Sequence, residues 1–432
     1  MSQIWIENGY FITMDDKNPT FKGHMVVTDD RITYVGEEAP SGLSEEVERV
    51  NGENLAFMPG LINTHGHAAM TLLRGFSDDE NLQVWLEQKM WPMEAKFEAR
   101  DTRAGSALAI VEMLKSGTTL FVDMYDRMDE VAQMAEQSGI RGMLTRGVIG
   151  FCSEEEQKQK LEEAISFARN WNGKAEGRIQ TMISPHAPYT CSPAYIEKFV
   201  QAAHDYNLPL HTHMSETIAE VEQNVRDYGL RPVDHLDKLG FFTRPALLAH
   251  AVHLTEDEIE TLAARGASVS HNPVSNLKLA SGIARLPEML RAGIKVGLGT
   301  DSVASNNNLD LFEEIRFAAL LHKGISGDPT AIPAMQALRL GTIEGAQSIW
   351  QNELGCLKAG MKADFIALNV DQAHFYPKTD IVSHLVYAGS GRDVVHVWVD
   401  GKQVVRNAEC TMLDEEKIRH DAQASYERLL KP

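Results

Sequence analysis

The chain has 432 residues, with 41 Lys and Arg against 61 Asp and Glu, giving a formal charge of −20. At 43% apolar and 24% charged residues it has a globular composition, not a disordered one. The negative charge argues against binding nucleic-acid polymers, whose phosphates it would repel.

Residues 1–57 read as short strands. Ile4–Ile6, His24–Thr28 and Arg31–Val35 are rich in β-branched and aromatic residues, with Asp29-Asp30 as the turn between the last two. Residues 58–355 alternate apolar strands with helical patterns, the signature of parallel βα units. The strands expected are Phe57–Asn63, Thr118–Asp123, Gly142–Val148, Ile179–Ser184, Leu208–His213, Ala246–His250, Ala267–His271 and Lys295–Asp301. Among the helices between them are Ser192–Tyr206, Glu256–Arg265 and Leu309–His322. Eight such units over about 300 residues predict an α/β fold, a (β/α)8 TIM barrel. Residues 356–413 return to strands: Asp364–Asn369, Val394–Val399 and, after an Asp400-Gly401 hairpin turn, Lys402–Val405. The two end segments are too short to bury their own faces, so 1–57 and 356–413 are expected to form one discontinuous β domain. Residues 414–432 read as a surface helix.

No apolar run reaches about 18 residues, so no membrane helix is expected. Met1–Phe11 shows no secretory pattern. The widely separated Cys152, Cys191, Cys356 and Cys410 speak against a zinc ribbon or disulfide framework and for a reducing cytoplasm.

The 16 histidines are clustered, and the clusters fall at strand ends. In chain order the ends carry His65 and His67, Asp123, Arg146, His186, His213, His250, His271 and Asp301. In a barrel these ends converge on the face where active sites are built. His65 and His67 are two apart on an extended segment and point to one side. With His213 and Asp301 they make a three-His, one-Asp set suited to a divalent ion such as Zn2+. His211, one layer deeper than His213, reads as a hydrogen-bonded core residue. Glu216, just past His213, would be an ordinary helix-start acid elsewhere; beside a metal it becomes a proton shuttle. Of His250 and His253, His250 is the better placed to hold and polarise an attacking water together with Asp301. A His-Glu-x-x-His helix, a Pro-Cys-x-x-Cys segment and a Gly-x-Ser-x-Gly elbow are all missing from the sequence.

Longer segments carry a family resemblance: Met58-Pro-Gly-Leu-Ile-Asn-Thr-His-Gly-His67, Trp91-Pro-Met-Glu94, Ser184-Pro-His-Ala-Pro-Tyr-Thr-Cys191, His211-Thr-His-Met-Ser-Glu216, Ser270-His-Asn-Pro-Val-Ser-Asn-Leu-Lys278, Gly299-Thr-Asp-Ser-Val-Ala-Ser-Asn306 and Gly360-Met-Lys-Ala-Asp364. Over essentially its whole length the chain resembles the amidohydrolase superfamily, and within it the 5′-methylthioadenosine/S-adenosylhomocysteine deaminases. The resemblance implies a barrel with a β-sandwich from both termini and one zinc per subunit on His65, His67, His213 and Asp301. It implies hydrolytic deamination of an adenosine-type nucleoside, with Glu216, His250 and Asp301 moving protons. It places Glu94 on the ribose hydroxyls, His186 near the nucleoside, Arg146 on the carboxylate of S-adenosylhomocysteine and Trp85 as an apolar wall. A second arginine frequent in the family is replaced by a stretch in which only Lys158 or Lys160 could serve, and lysine does not equal arginine as a bidentate carboxylate binder. Similar proteins often associate, so a homo-oligomer is an expectation. The alternatives are the same chemistry on a guanine- or triazine-type ring and, more remotely, a noncatalytic metal-binding scaffold.

Overall fold

A computed structural model describes residues 2–431. Its centre is a parallel sheet of eight strand positions: Leu61–Asn63, Thr118–Tyr125, Arg141–Val148, Ile179–Thr181 with Ser184–Pro185, Leu210–Met214, Ala246–His250, Ser268–His271 and Lys295–Leu298. Sequential strands pair in order, and the eighth pairs with the first through Leu298 and Asn63. Fourth and fifth strands meet through an Ile183–Leu210 bridge, so the sheet curls round on itself. These strands are apolar because both faces are covered. Ile62, Leu120, Val122, Met143, Met182 and Leu247 pack inside the barrel against Ala346, Ile349 and Leu354, which close its N-terminal end. The helices pack outside, among them Pro193–Asp205, Glu256–Arg265 and Leu311–Ser326.

The end segments form one nine-stranded sheet that joins Gln3–Ile12, Thr20–Thr28 and Arg31–Gly36 to Phe365–Asn369, Val394–Val399 and Lys402–Arg406. It wraps a core of its own, including Phe11, Phe57, Phe365 and Trp398. Asp400 and Gly401 both have positive φ (48° and 71°), the backbone a two-residue type I′ hairpin needs.

The expected strand Phe57–Asn63 is two strands. Leu55–Pro59 pairs with Phe365–Asn369 in the terminal sheet, and Leu61–Asn63 opens the barrel. Gly60 is the break: a Cβ there would lie 2.1 Å from Thr119 Oγ1. The junction is clamped from the far side. Asp364 O accepts from Gly60 N (3.1 Å), while its carboxylate takes a two-pronged bond from Arg141 (2.6 and 2.9 Å) at the start of the third strand. Arg141 also bonds Asp400. The helix Glu415–Leu429 lies on Ala99–Lys115, where Arg428 reaches the fully buried Asp101.

Candidate active site

The strands end where the chain must turn sharply, and four residues there adopt left-handed backbone without being glycine: Ser215 (φ 51°), His250 (74°), Ala251 (48°) and Asp301 (59°). Such conformations cost about 1–3 kcal/mol each and persist where surrounding contacts over-determine them. Two of the four residues, His250 and Asp301, line a cavity of about 630 Å3 together with His67, His186, His213 and Glu216.

Four of the predicted residues converge. Asp301 Oδ1 lies 3.5 Å from His65 Nε2 and 3.2 Å from His67 Nε2. His213 Nε2 is 3.4 Å from His67 Nε2. Two overlapping groups, His65–His67–His213 and His65–His250–Asp301, each hold their donor atoms within 4.8 Å of one another. The outer ring nitrogens explain the orientation. His67 Nδ1 donates to Met124 O (2.5 Å) and His213 Nδ1 to His186 O (2.8 Å). His211 Nδ1 donates to Leu247 O (2.8 Å), so His211 Nε2 is the acceptor for His65 Nδ1 at 3.0 Å. With every Nδ1 committed as a donor, three Nε2 lone pairs face one point, the arrangement metal-binding histidines need. His65 Nε2 is buried and has no hydrogen-bond partner among the described residues.

The electrostatics call for a cation at that point. Burial holds His65 and His213 well below the ordinary imidazole range. Burial acts the same way on His67, but the hydrogen bond and charge of Asp301 and the Met124 carbonyl overcome it, lifting His67 to about 9, so a proton and a metal ion compete for the lone pair of its Nε2. Burial disfavours charge on Asp301, yet the His65 and His67 rings close to its Oδ1 hold it well below the usual carboxylate range. A divalent ion of borderline softness fits this nitrogen-and-oxygen set.

Beside it, Glu216 Oε2 lies 3.7 Å from His250 Nε2. His250 Nδ1 is held by Asn276 Oδ1 at 2.8 Å, which turns its Nε2 lone pair inward. Glu216 is 4% exposed, and burial raises its carboxyl above the ordinary value, with the His250 charge acting against that shift. His253 points away, its Nε2 bonding Ser281 O at 2.6 Å.

The remaining predicted residues divide. Glu94 lines the cavity, with Tyr125 OH donating to its Oε1 at 2.6 Å. His186 lines it too, its Nδ1 partnered by Thr190 Oγ1 at 3.0 Å. Trp85 is both wall and core: it borders the cavity, packs with Met70, Met93, Phe97 and Leu279, and donates its indole N–H to Ser77 O (3.2 Å). Arg146 lies near the end of the third strand. It is not among the lining residues; its guanidinium pairs with Asp126 (3.2 Å) and Glu163 (2.7 Å). Lys160, not Lys158, lines the cavity. Asp123 braces the site by accepting from Ala68 N at 2.6 Å, and His271 is buried outside the lining.

Several supporting residues escaped the sequence reading. Ser275 and Ser305 hydroxyls donate to Asp301 Oδ2 (2.6 and 3.0 Å), leaving Oδ1 for the histidines. Both lie in segments already singled out, but serines carry no spacing signal of their own. Gly299 is required: a Cβ would lie 2.4 Å from Asn272 Oδ1, 2.6 Å from Ser270 Oγ and 2.9 Å from His65 N.

The chain is similar to known proteins over nearly its whole length. Over 431 aligned residues, 98% of each chain, the protein is 48% identical to a 5-methylthioadenosine/S-adenosylhomocysteine deaminase of Halalkalibacterium halodurans. It is 46% identical to a 5′-deoxyadenosine deaminase of Methanosarcina acetivorans, covering 100% of this chain and 99% of that one. The crystal structure of a zinc-bound adenosine deaminase from Xanthomonas campestris superposes with a TM-score of 0.91 at 33% identity, covering 99% of this chain and 98% of that one. Residues 56–404 match the amidohydrolase family, and the chain belongs to it.

Proposed function

We propose that this chain is a zinc-dependent hydrolytic deaminase of adenosine-type nucleosides. Its substrates are 5′-methylthioadenosine, S-adenosylhomocysteine and related 5′-modified adenosines, and its products are the inosine analogue and ammonia. The observation that carries this reading is the convergence of His65, His67, His213 and Asp301 beside Glu216 and His250, in one cavity walled by Glu94. The names of the relatives supply the ring to be deaminated.

One zinc per chain on those four residues would supply Lewis-acid chemistry, bringing the pKa of a water toward neutrality. His250, anchored by Asn276, and Asp301, anchored by Ser275 and Ser305, take up the proton of the attacking water. Glu216 carries the proton that reaches ring N1 as the nucleophile adds at C6, relieving the charge that builds on the purine. Burial raises its carboxyl above the ordinary value, which favours the protonated form a proton donor needs. Asp301 then returns the proton of the water to the departing amine, and, as ammonia leaves, the proton of the new C6 hydroxyl passes to Glu216, which forms the carbonyl and restores the acid. Glu94, steadied by Tyr125, receives the ribose hydroxyls, and His186 borders the nucleoside. Trp85, Met70 and Leu279 exclude water from the ring. A substrate carboxylate would compete for Arg146 with Asp126 and Glu163, both about half exposed, and Lys160 also lines the cavity.

In this reading the catalytic barrel runs from Leu61 to about residue 355, the chain before Gly60 and residues 356–413 form the supporting β domain, and Glu415–Leu429 is a helix covering the barrel. Among the described residues no helix is long and apolar enough to cross a membrane. Four free cysteines fit a reducing cytoplasm. The test is a panel of methylthioadenosine, S-adenosylhomocysteine, 5′-deoxyadenosine and adenosine, with free adenine and guanine as controls. Ammonia release and the ultraviolet shift to a hypoxanthine ring are expected with the nucleosides. Turnover of the free bases alone, or of nothing, would refute the proposal.

A further inference from the structure

Glu220 is a buried carboxylate that the mechanism above does not use. In the sequence Thr217-Ile-Ala-Glu220 it reads as the fourth residue of a capping box, where it would bond the backbone of Thr217. Half of that box is present: Thr217 Oγ1 accepts from Glu220 N at 3.2 Å. The Glu220 carboxylate instead reaches past the cap. Oε1 accepts from Ser215 N (2.9 Å) and Oε2 from Glu216 N (2.8 Å), and the residue is 5% exposed.

These two N–H groups belong to the turn that ends the fifth strand. Ser215 has φ 51°, a conformation a serine keeps only under constraint. Its carbonyl is equally engaged, accepting from Val252 N and His253 N at 3.0 Å each. Those amides follow His250 and Ala251, the two left-handed residues that end the sixth strand. One carboxylate thus pins the turn that aims Glu216, and Ser215 ties that turn to the one that carries His250.

We propose that Glu220 is a positioning residue for proton transfer: it sets the Glu216 backbone so that the Glu216 carboxyl faces His250 and the substrate ring. This rests on the roles given to Glu216 and His250 above. Glu220 makes no bond to His65, His67, His213 or Asp301, so its loss should spare metal binding. Misplacing a catalytic group by about 1 Å costs on the order of 100-fold in rate.

The test compares Glu220→Ala and Glu220→Gln in the metal-loaded full chain. The assay uses whichever adenosine analogue the wild type turns over fastest, so an error in the substrate assignment leaves the test standing. The expected result is a fall in kcat of about 10- to 100-fold for Ala and less for Gln, which keeps one acceptor, with KM and bound metal little changed. In a Glu216→Gln background Glu220→Ala should cost almost nothing further, the non-additivity of two residues acting as one unit. Thr217→Ala, which breaks only the helix cap, should lower Tm and leave kcat alone. If Glu220→Ala is too unstable to purify, the Gln variant and its cycle with Glu216→Gln decide. A Glu220 variant with lowered Tm but wild-type kcat, or with full additivity in the cycle, would reduce Glu220 to a structural cap and overturn the proposal.

Discussion

Replacing Arg141 by Met should destabilise the fold without touching the chemistry. Arg141 sits at the start of the third barrel strand, its side chain 7% exposed. It bonds both oxygens of Asp364, at 2.6 and 2.9 Å, and one of Asp400. Those carboxylates are 2% and 8% exposed. Methionine fills similar volume but leaves them facing each other, with Lys362 (3.2 Å from Asp400) as the remaining cation beside them. Removing one partner of a buried pair costs about 3–5 kcal/mol, because the abandoned charge keeps its desolvation penalty. That is a large share of the roughly 5–15 kcal/mol that holds a domain together. The assay is the urea midpoint followed by tryptophan fluorescence, with kcat measured in parallel without denaturant. Stability should fall by about 3–5 kcal/mol with kcat unchanged, and Arg141→Met/Asp364→Asn should recover part of the loss by removing one stranded charge. A change under about 1 kcal/mol would refute the claim that this cluster clamps the terminal sheet to the barrel.

Three further outcomes are expected. Glu216→Gln keeps the shape and loses the proton, so kcat should fall about 10²- to 10⁴-fold with bound metal retained; a fall of only a few-fold would remove Glu216 from proton transfer. Glu94→Gln should lower kcat/KM for nucleosides about 10- to 100-fold, the worth of one charge-assisted hydrogen bond, and Tyr125→Phe should do so more mildly. Unchanged activity in Glu94→Gln would show the ribose lies elsewhere. Gly299→Ala must displace Asn272, Ser270 or the His65 backbone; it should cost about 1–3 kcal/mol of stability and weaken metal retention on dialysis.

The barrel was legible because buried parallel strands are short apolar runs, and the candidate site because several of those runs end in a polar residue, His67, His186, His213, His250 and Asp301 among them, that lines one cavity. Most of what escaped depends on contacts between distant segments. Phe57–Asn63 reads as one apolar run, and although Pro59-Gly60 is a local break signal, it does not show that the two halves enter different sheets. Arg146 ends a strand like the true cavity residues, but its pairing with Asp126 and Glu163 depends on the fold. Ser275 and Ser305 matter only because two turns bring them to the same oxygen of Asp301. Glu220 shows the limit most clearly, since a correct local rule, the capping box, sends its carboxylate to the wrong amides.

The most direct measurement of the central claim joins metal content to deamination in one sample. Elemental analysis of the purified chain should find about one divalent ion per subunit. Chelation should abolish ammonia release from methylthioadenosine, and zinc should restore it. His67→Ala should lose both the ion and the activity. A chain that deaminates at full rate after its metal is stripped, or that keeps one tightly bound ion in His67→Ala, would contradict the account.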